Sequence, residues 1–290
     1  MILLAESSST RTEWNLLDNN GIVESFISDG INPFFQTRKD INHIIRLQLP
    51  SQFFSTKINK IYFYGEGCTT IDRRSVVKAS LETQFKTPSE IETNLLGAAR
   101  SLFNNSAGIA CILGTDANTC FYDGTSIVKS IESLGYLLGD EGSGASLGRI
   151  FLSDCLKGIA PKELIEPFYS KYKINPSEVL DYFYKTPFPN KLLSIMSFFL
   201  YEHIEHPYVS EIVHKEMRAF FTRNIFQYEY TDYPIRFVGT FAKMYSFVLR
   251  QVAQSLGIYI DIIIENSTTG LVEYHLEHSF GRSKILSHNS

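Results

Sequence analysis

The sequence has few cysteines and no excess of positive charge. Its four cysteines are scattered through 290 residues without a Cys-x-x-Cys pair, which disfavours a disulfide scaffold or a zinc ribbon and favours reduced, buried thiols. Aspartate and glutamate (31) outnumber lysine and arginine (27), and the formal net charge is −4. The composition therefore predicts no broad basic surface, and we expect no binding to nucleic acid or to an anionic membrane.

Long apolar runs are also missing. The apolar segment at residues 2–5 is too short for a signal peptide and has no basic region before it. The longest apolar stretch, residues 192–201, is about half the length that a bilayer-spanning helix needs. What is present is a hydrophobic fraction of 44%, enough for the cores of two domains. We therefore expect a soluble, cytoplasmic protein.

The predicted secondary structure repeats one order of elements. Three strands come first, with a hairpin signal at Asn19–Gly21, and helices then alternate with two further strands. The first of these helices is predicted over residues 38–53 without a break. The order restarts near residue 107, with a largely helical block at 141–228 and a single later helix at 241–257. Two copies of one topology predict an α/β protein of two domains with a cleft between them.

The segment AESSSTRTEW places a run of hydroxyl-bearing residues, Ser7 to Thr12, at a predicted hairpin turn. Such a turn offers backbone N–H and hydroxyl donors to an anion, and Arg11 adds a forked cation suited to phosphate. Glu6, at the end of the strand, is a candidate Mg²⁺ ligand, either directly or through water. A solvated polar turn is the alternative interpretation.

Three more turns follow predicted strands. LGTDANTC, residues 113–120, is a second candidate phosphate-binding hairpin, and the glycine of FVGT, residues 237–240, lets a flat ring or a phosphate approach the backbone. In GYLLGDEGSGASLGR, residues 135–149, Asp140 and Glu141 lie between glycines and suit hydrogen bonding to sugar hydroxyls. The alternative is that these acids only cap the helix that follows.

In this order, the motifs resemble those of the N-acetylglucosamine kinase family, the BadF/BadG-type ATPases of the actin, sugar kinase and Hsp70 superfamily. The similarity extends over roughly residues 1–275, and its most specific parts are GYLLGDEGSGASLGR and GINPFF, residues 30–35. It implies phosphorylation of a sugar with ATP and Mg²⁺ by two ribonuclease-H-like domains. The implied domains are residues 1–106, to which a closing helix from about 269 returns, and residues 107–268, with the helical insertion. We also expect a homodimer.

The resemblance also implies roles for individual residues. It implies a Mg²⁺-linked position at Glu6 and sugar binding by Asn32 and Asp140, with Glu141 beside Asp140. The residues that it implies for ATP binding are Ser9, Thr10, Arg11, Thr115, Asn118 and Gly239.

The sequence departs from the family at positions that carry chemistry. Asn94 stands where the family has the aspartate that takes the proton of the sugar hydroxyl, and losing such a base typically costs about 10²–10⁴-fold in rate. Asp116 replaces a glycine near the phosphates, and Glu66 replaces a small residue near the sugar. Ser8 replaces a glycine and is strained if its φ is positive.

These departures leave more than one functional hypothesis. In the first, the protein is a slow sugar kinase in which Asp116 or Glu66 replaces the missing base. In the second, it is a catalytically impaired sugar-binding or regulatory protein on a kinase fold. A third hypothesis, an ATPase that activates another enzyme, is disfavoured because no cysteine lies in a motif suited to an iron–sulfur cluster. Asn94 itself has a structural alternative, which is to cap its helix.

Overall fold

A computed structural model describes residues 1–8, 10–186 and 189–281 of the chain. Its contacts divide into two compact units. The first unit combines Met1–Ser106 with the chain from Ser267, and the second unit is Ala107–Asn266. Among the described residues, no helix is both long and apolar enough to cross a membrane.

The first unit is a five-stranded mixed sheet covered by helices. Its strand order is β3-β2-β1-β4-β5, in which β1, β2 and β3 are antiparallel neighbours and β4 and β5 continue parallel to β1. The strands are β1 (Ile2–Ser7), β2 (Arg11–Asp18), β3 (Gly21–Asp29), β4 (Lys60–Gly65) and β5 (Ser89–Thr93). The helices are α1 (Arg38–Gln48), α2 (Ser51–Ser55), α3 (Ile71–Phe85), α4 (Asn94–Phe103) and α14 (Thr268–Phe280).

Strand β1 is apolar from Ile2 to Ala5 because both faces of this sheet are covered there. Leu3 and Ala5 join the core that α1, α2 and α3 cover, whereas Ile2 and Leu4 face the cluster that α14 completes with Leu271. Successive side chains of a strand point to opposite faces, so a strand buried on both sides has no polar alternation.

The predicted helix over residues 38–53 is wrong as a single element. It divides into α1 and α2 at Pro50, which has an extended conformation and precedes α2. Leu49 before it is also extended. Proline lacks a backbone N–H and disfavours a helical conformation in the residue before it, so the chain must leave the helix here.

The second unit repeats the topology of the first. Its strand order is β10-β9-β6-β7-β8, with β6, β7 and β8 antiparallel and β9 and β10 parallel to β6. The strands are β6 (Gly108–Leu113), β7 (Ala117–Tyr122), β8 (Ile127–Ile131), β9 (Ile235–Val238) and β10 (Ile260–Ile264). The match in strand order confirms the predicted duplication of a ribonuclease-H-like α/β fold.

A helical insertion lies between β8 and β9 in the sequence, as predicted. It contains α5 (Gly135–Leu138), α6 (Gly144–Leu156), α7 (Lys162–Tyr172), α8 (Val179–Lys185), α9 (Pro189–Met196), α10 (Phe198–Glu202) and α11 (Pro207–Arg223). Helices α6 and α9 meet closely at Gly148, where a Cβ atom would lie 1.9 Å from the carbonyl oxygen of Leu193. This contact fixes α6, whose first residues adjoin the candidate site.

The helix predicted over residues 241–257 is also divided. It forms α12 (Thr240–Met244) and α13 (Ser246–Ser255), with Tyr245 between them. Tyr245 is buried, and its hydroxyl donates a hydrogen bond to the carbonyl oxygen of Ser197 at 3.2 Å. This tertiary contact holds Tyr245 at the junction, where the helical backbone conformation is interrupted.

Candidate active site

The hairpin between β1 and β2 is joined to the loop that carries Asn32. The hydroxyl oxygens of Ser7 and Thr12 lie 2.6 Å apart, and the Ile31 amide donates to the Ser7 hydroxyl at 2.8 Å. Both hydroxyl side chains are buried. Two of the hydroxyls in the predicted phosphate-facing run are therefore structural, because they satisfy each other and a buried backbone group.

The tip of this hairpin is closed by Ser8. Its hydroxyl oxygen accepts hydrogen bonds from the amides of Thr10 at 3.2 Å and Arg11 at 3.3 Å. Thr10 and Arg11 are exposed, so the tip offers the donors that an anion needs, but Ser8 engages two of them. The φ angle of Ser8 is not positive, so the strain considered for this position is absent. Ser9 lies outside the described residues.

Glu6, the predicted Mg²⁺ position, is a partly buried carboxyl at the end of β1. It is the register partner of Glu13 on β2, and the hydroxyl of Ser267 donates a hydrogen bond to it. Removal from water raises the pKa of Glu6 to about 7; the Ser267 bond opposes this shift and the Glu13 charge adds to it. A carboxyl whose charge is so poorly compensated fits a hard cation such as Mg²⁺, which prefers oxygen ligands.

No larger metal-binding group accompanies Glu6. The described residues contain no cluster of three or more histidine, cysteine, aspartate or glutamate side chains that could hold a metal ion. Mg²⁺ usually keeps several waters and is held by one or two carboxylates together with substrate phosphates. The surroundings of Glu6 therefore suit a cation that arrives with a nucleotide.

Asn32, a predicted sugar ligand, is buried and fixed by its surroundings. Its backbone N–H donates to Gln36 at 2.8 Å, and its side-chain oxygen accepts from the Phe34 amide at 2.9 Å. Its side-chain nitrogen donates to Glu66 at 3.2 Å, so the unusual Glu66 contacts the predicted sugar ligand directly. Gly67 allows this packing, since a Cβ atom there would lie 2.0 Å from the Asn32 side-chain oxygen.

Asn94 is the first residue of α4, but it does not cap the helix. Thr93 is the N-cap, and its side chain accepts a hydrogen bond from the Leu96 amide at 3.2 Å. The alternative that Asn94 serves only as a cap is therefore wrong. The Asn94 side chain is partly exposed and makes no hydrogen bond with another described residue. A polar group thus projects from a helix N-terminus without a structural role that we can identify.

The second hairpin, between β6 and β7, is attached to the start of α6. The Gly114 amide donates to the Asp116 carbonyl at 2.9 Å, and the Ala145 amide of α6 donates to the Thr115 carbonyl at 3.1 Å. Thr115, Asp116 and Asn118, which sequence motifs predict to face the phosphates, are all partly exposed. Their backbone is fixed by α6, while their side chains remain accessible to a ligand.

Position 239 must be glycine because the chain after β9 passes very close to the end of β6. It precedes α12 with a φ of +136°, and a Cβ atom there would lie 2.3 Å from the carbonyl oxygen of Leu113. Its amide donates to the Ile264 carbonyl at 3.0 Å. The predicted adenosine turn is therefore a tight strand-to-helix connection at the edge formed by β6, β9 and β10.

The glycine-rich loop before α6 holds Asp140 in the interior. Asp140 is buried with a φ of +55°, and one of its carboxylate oxygens accepts from the Ala117 amide at 3.2 Å. Ser143 is the N-cap of α6, so the alternative that Asp140 and Glu141 only cap this helix is wrong. Glu141 instead forms an ion pair with Arg223 of α11 at 2.5 Å.

Each unit thus links its hairpin to its predicted sugar-binding loop by hydrogen bonds. In the first unit, Ser7 of the hairpin bonds with Ile31, which precedes Asn32. In the second unit, Ala117 of the hairpin bonds with Asp140 itself. In both units the bond joins the first hairpin to the loop that follows the third strand.

Glu216 of α11 is a residue that the sequence motifs did not indicate. It is buried, and one carboxylate oxygen accepts from the Ser146 hydroxyl at 2.7 Å and from the Gly142 amide at 3.3 Å. A signal does exist in the sequence, because Glu216 occupies the apolar stripe of α11 between Val213 and Phe220. An acid in such a stripe needs a buried partner.

The cysteines show no reactive or ligating arrangement. All four are free and buried. Burial raises the pKa of the Cys68, Cys120 and Cys155 thiols to about 12, so they stay protonated at neutral pH.

Comparison with known proteins finds solved structures that are similar to this chain over most of its length. No protein-family profile matches the chain, and no curated protein does. A candidate N-acetylglucosamine kinase from Porphyromonas gingivalis is 36% identical, covers 96% of this chain and 100% of its own, and has a TM-score of 0.91.

More distant structures share the fold alone. A candidate N-acetylglucosamine kinase from Chromobacterium violaceum is 13% identical with a TM-score of 0.72, over 94% of this chain and 99% of its own. A ROK family glucokinase from Streptomyces griseus, in complex with glucose and AMPPNP, is 12% identical with a TM-score of 0.60. The match covers 94% of this chain and 97% of the glucokinase.

Proposed function

Because this chain belongs to the N-acetylglucosamine kinase family, we propose that it transfers the γ-phosphoryl group of ATP to a hydroxyl of an amino sugar, N-acetylglucosamine. The observation that carries the proposal is that the two predicted sugar-binding residues are buried and held in place by hydrogen bonds. Asn32 and Asp140 are both buried, and hydrogen bonds from within their own units hold each in place. Fixed, buried polar groups are what a site needs to select hydroxyl groups, since a missing partner then costs much affinity.

The sugar contacts follow from the chemistry of these side chains. A carboxylate offers about four acceptor positions, and the Ala117 amide uses one of those of Asp140. We assign the recognition of sugar hydroxyls to this carboxylate. Asn32 presents an amide that both donates and accepts, and Glu66 beside it adds acceptor oxygens. Glu141, next to Asp140 in the loop, pairs with the exposed Arg223.

On the nucleotide side, we assign the phosphates to the two hairpins and adenosine to the turn at Gly239. The first hairpin provides Thr10 and Arg11, together with Ser9 outside the described residues, and the second provides Thr115 and Asn118. Glu6 would hold Mg²⁺ directly or through water, and the cation would neutralise charge on the phosphates. Loss of a proton from Glu6 would accompany its binding.

The chemical step is an in-line displacement. The sugar hydroxyl oxygen forms a bond to the γ-phosphorus, the bond to the bridging oxygen breaks, and ADP leaves. The hydroxyl proton needs an acceptor, and Asn94 cannot serve. We propose Asp116 as the acceptor that replaces the missing aspartate, at a reduced rate. Positioning and electrostatic stabilisation supply most of the catalysis of such reactions, so turnover without the usual base is feasible.

The test is direct measurement of binding and turnover with the purified chain. We expect N-acetylglucosamine to bind in calorimetry and ADP to form only when sugar, ATP and Mg²⁺ are all present. Asp140→Ala should remove measurable sugar binding while the thermal unfolding midpoint shows that the fold is intact. Sugar binding without ATP binding or turnover would instead support the impaired, regulatory alternative. Absence of both sugar binding and turnover would exclude the proposal.

We also propose that the protein is a homodimer. Edge strand β3 supports this, because Val23 and Ile27 on it are 52% and 56% exposed and no strand within the described ranges pairs with its outer backbone edge. Light scattering should give a mass twice the 33.0 kDa of one chain. A Val23→Lys, Ile27→Lys variant that stays dimeric would place the interface elsewhere, and a monomeric wild type would exclude the dimer.

A further inference from the structure

Helix α11 carries a buried acid that points at the glycine-rich loop. Glu216 is 8% exposed and lies among the apolar residues of the helix face that covers the second unit's core. An isolated carboxylate in such a place is costly unless hydrogen-bond donors surround it. The donors present here all belong to the segment from Gly142 to Ser146.

Two hydrogen bonds converge on one oxygen of Glu216. The hydroxyl of Ser146, in the first turn of α6, donates at 2.7 Å, and the backbone amide of Gly142 donates at 3.3 Å. Gly142 has a φ of +78°, and a Cβ atom on it would lie 3.2 Å from the Cβ of Phe220 on the same helix. The loop is therefore pressed against α11, and Glu216 holds it there.

Asp140 is the residue whose conformation depends on this attachment. Its φ of +55° lies in the left-handed region, which residues other than glycine seldom adopt, although aspartate does so more readily than most. The Ser143 amide donates to the Asp140 carbonyl at 3.0 Å, which links Asp140 to the held segment. A strained conformation persists only where the surrounding structure determines it, and Glu216 supplies part of that structure.

We propose that Glu216 is the positioning residue of the sugar site: through Gly142 and Ser146 it fixes the loop so that Asp140 presents its carboxylate to the sugar. The inference rests on the proposed function, in which Asp140 binds the substrate. Glu216 itself does not contact the substrate. The helical insertion thereby acquires a role in substrate recognition.

A second contact between α11 and the loop should affect sugar binding much less than the contact of Glu216 does. Arg223 pairs with Glu141 at 2.5 Å, but the Arg223 side chain is 65% exposed. Exposed ion pairs contribute little because water competes for both charges. The two contacts thus form a matched pair for experiment, one buried and one exposed, on the same helix and loop.

The experiment measures sugar affinity by calorimetry in variants of the full chain. Glu216→Ala removes the acceptor from two donors, and we expect sugar binding to weaken by about 10- to 100-fold, the range for breaking buried hydrogen bonds to a charged group. Glu216→Gln keeps an acceptor oxygen and should stay within about 3-fold. Arg223→Ala and Glu211→Ala, an exposed acid on the same helix, should stay within about 2-fold.

Two further variants separate positioning from general stability. Glu216→Asp keeps the charge but withdraws it by one methylene, so we expect it to weaken sugar binding as Glu216→Ala does, even if the alanine variant does not fold. In an Asp140→Asn background, the effect of Glu216→Asp should shrink, because both changes act on the same contact. A steady-state assay should show the loss in the KM for sugar more than in kcat.

The outcomes distinguish the two proposals. If wild type phosphorylates N-acetylglucosamine but Glu216→Asp binds it as well as Glu211→Ala does, the positioning role is refuted. An unchanged Glu216→Asp effect in the Asp140→Asn background refutes the route through Asp140. If wild type neither binds nor phosphorylates the sugar, the proposed function fails, and the positioning role falls with it.

Discussion

The buried histidine of α14 should make stability depend on pH in a defined direction. His275 is 2% exposed, its ring nitrogen lies 2.9 Å from the Tyr64 hydroxyl, and Arg100 donates to that same hydroxyl at 2.7 Å. Burial, with the positive charges of Arg100 and His278, lowers the pKa of His275 from 6.5 to about 3. The folded protein therefore keeps this histidine neutral where the unfolded chain would protonate it.

Proton linkage gives the direction in which stability changes with pH. Below pH 6.5 the unfolded chain binds a proton at His275 that the folded protein does not bind, so the free energy of unfolding falls as the pH falls. The loss is about 1.4 kcal/mol per pH unit, or about 3 kcal/mol between pH 6.5 and 4.5. It continues down to the folded pKa, near pH 3.

Glu6 acts in the opposite direction over the same range. Its folded pKa of about 7 exceeds the ordinary value of 4.5, so between these values the folded protein binds the extra proton and stability rises as the pH falls. The full gain is about 3 kcal/mol, reduced because water reaches part of the side chain. In wild type the two slopes should therefore largely cancel between pH 4.5 and 6.5.

Single substitutions should reveal how each residue alone changes the free energy of unfolding with pH. We would measure urea unfolding of wild type, His275→Gln and Glu6→Gln from pH 4.5 to 7.5 in buffer with EDTA. The destabilisation by His275→Gln at pH 7 should shrink by about 3 kcal/mol at pH 4.5, leaving a variant that gains stability on acidification. Glu6→Gln should instead lose stability on acidification. A constant difference between wild type and His275→Gln across this range would refute a neutral, buried His275.

Three other substitutions test the candidate site. Asn94→Asp should restore a base and raise kcat by up to about 10²–10⁴-fold, checked by steady-state kinetics; no gain in a variant that binds both substrates would mean that Asn94 is not the base position. Ser8→Gly should release the Thr10 and Arg11 amides and tighten ATP binding by about 10-fold in calorimetry, in line with one hydrogen bond, while weaker binding would show that the serine itself binds phosphate. Gly239→Ala should destabilise by about 2 kcal/mol or more because of its positive φ and the clash with Leu113, and an unchanged unfolding midpoint would contradict this backbone assignment.

Elements built from local signals could be predicted from the sequence. The strands, the Asn19–Gly21 hairpin and the duplicated order all follow from alternation, turn residues and repetition within short windows. The break at Pro50 is also a local signal, because proline ends a helix, although the apolar periodicity continues on both sides of it. Helix breaks at tertiary contacts, such as Tyr245 with Ser197, cannot be read locally because the partner lies 48 residues away.

In the candidate site, too, features with a local sequence signal were predictable and features that depend on distant contacts were not. Motif positions such as Asp140 and Gly239 were identifiable because glycines and acids in fixed spacing point to a ligand. The residue that holds the glycine-rich loop was not, since Glu216 bonds with Ser146 from 70 residues away in the sequence. Ser7 and Thr12 begin and end the hydroxyl-rich run that the sequence predicts to face a phosphate, whereas in the fold their hydroxyls bond to each other and Ser7 also accepts from the Ile31 amide.

The return of α14 to the first unit has a consequence for synthesis of the chain. Ile2, Leu4 and Leu17 form a core cluster with Tyr64 and with Leu271 and Val272, which follow more than 250 residues after Leu17. As the polypeptide leaves the ribosome, the part of this sheet face that α14 covers must therefore wait, exposed, while the whole second unit is made. During that interval this apolar face is the surface most open to chaperones or to mispairing with other nascent chains.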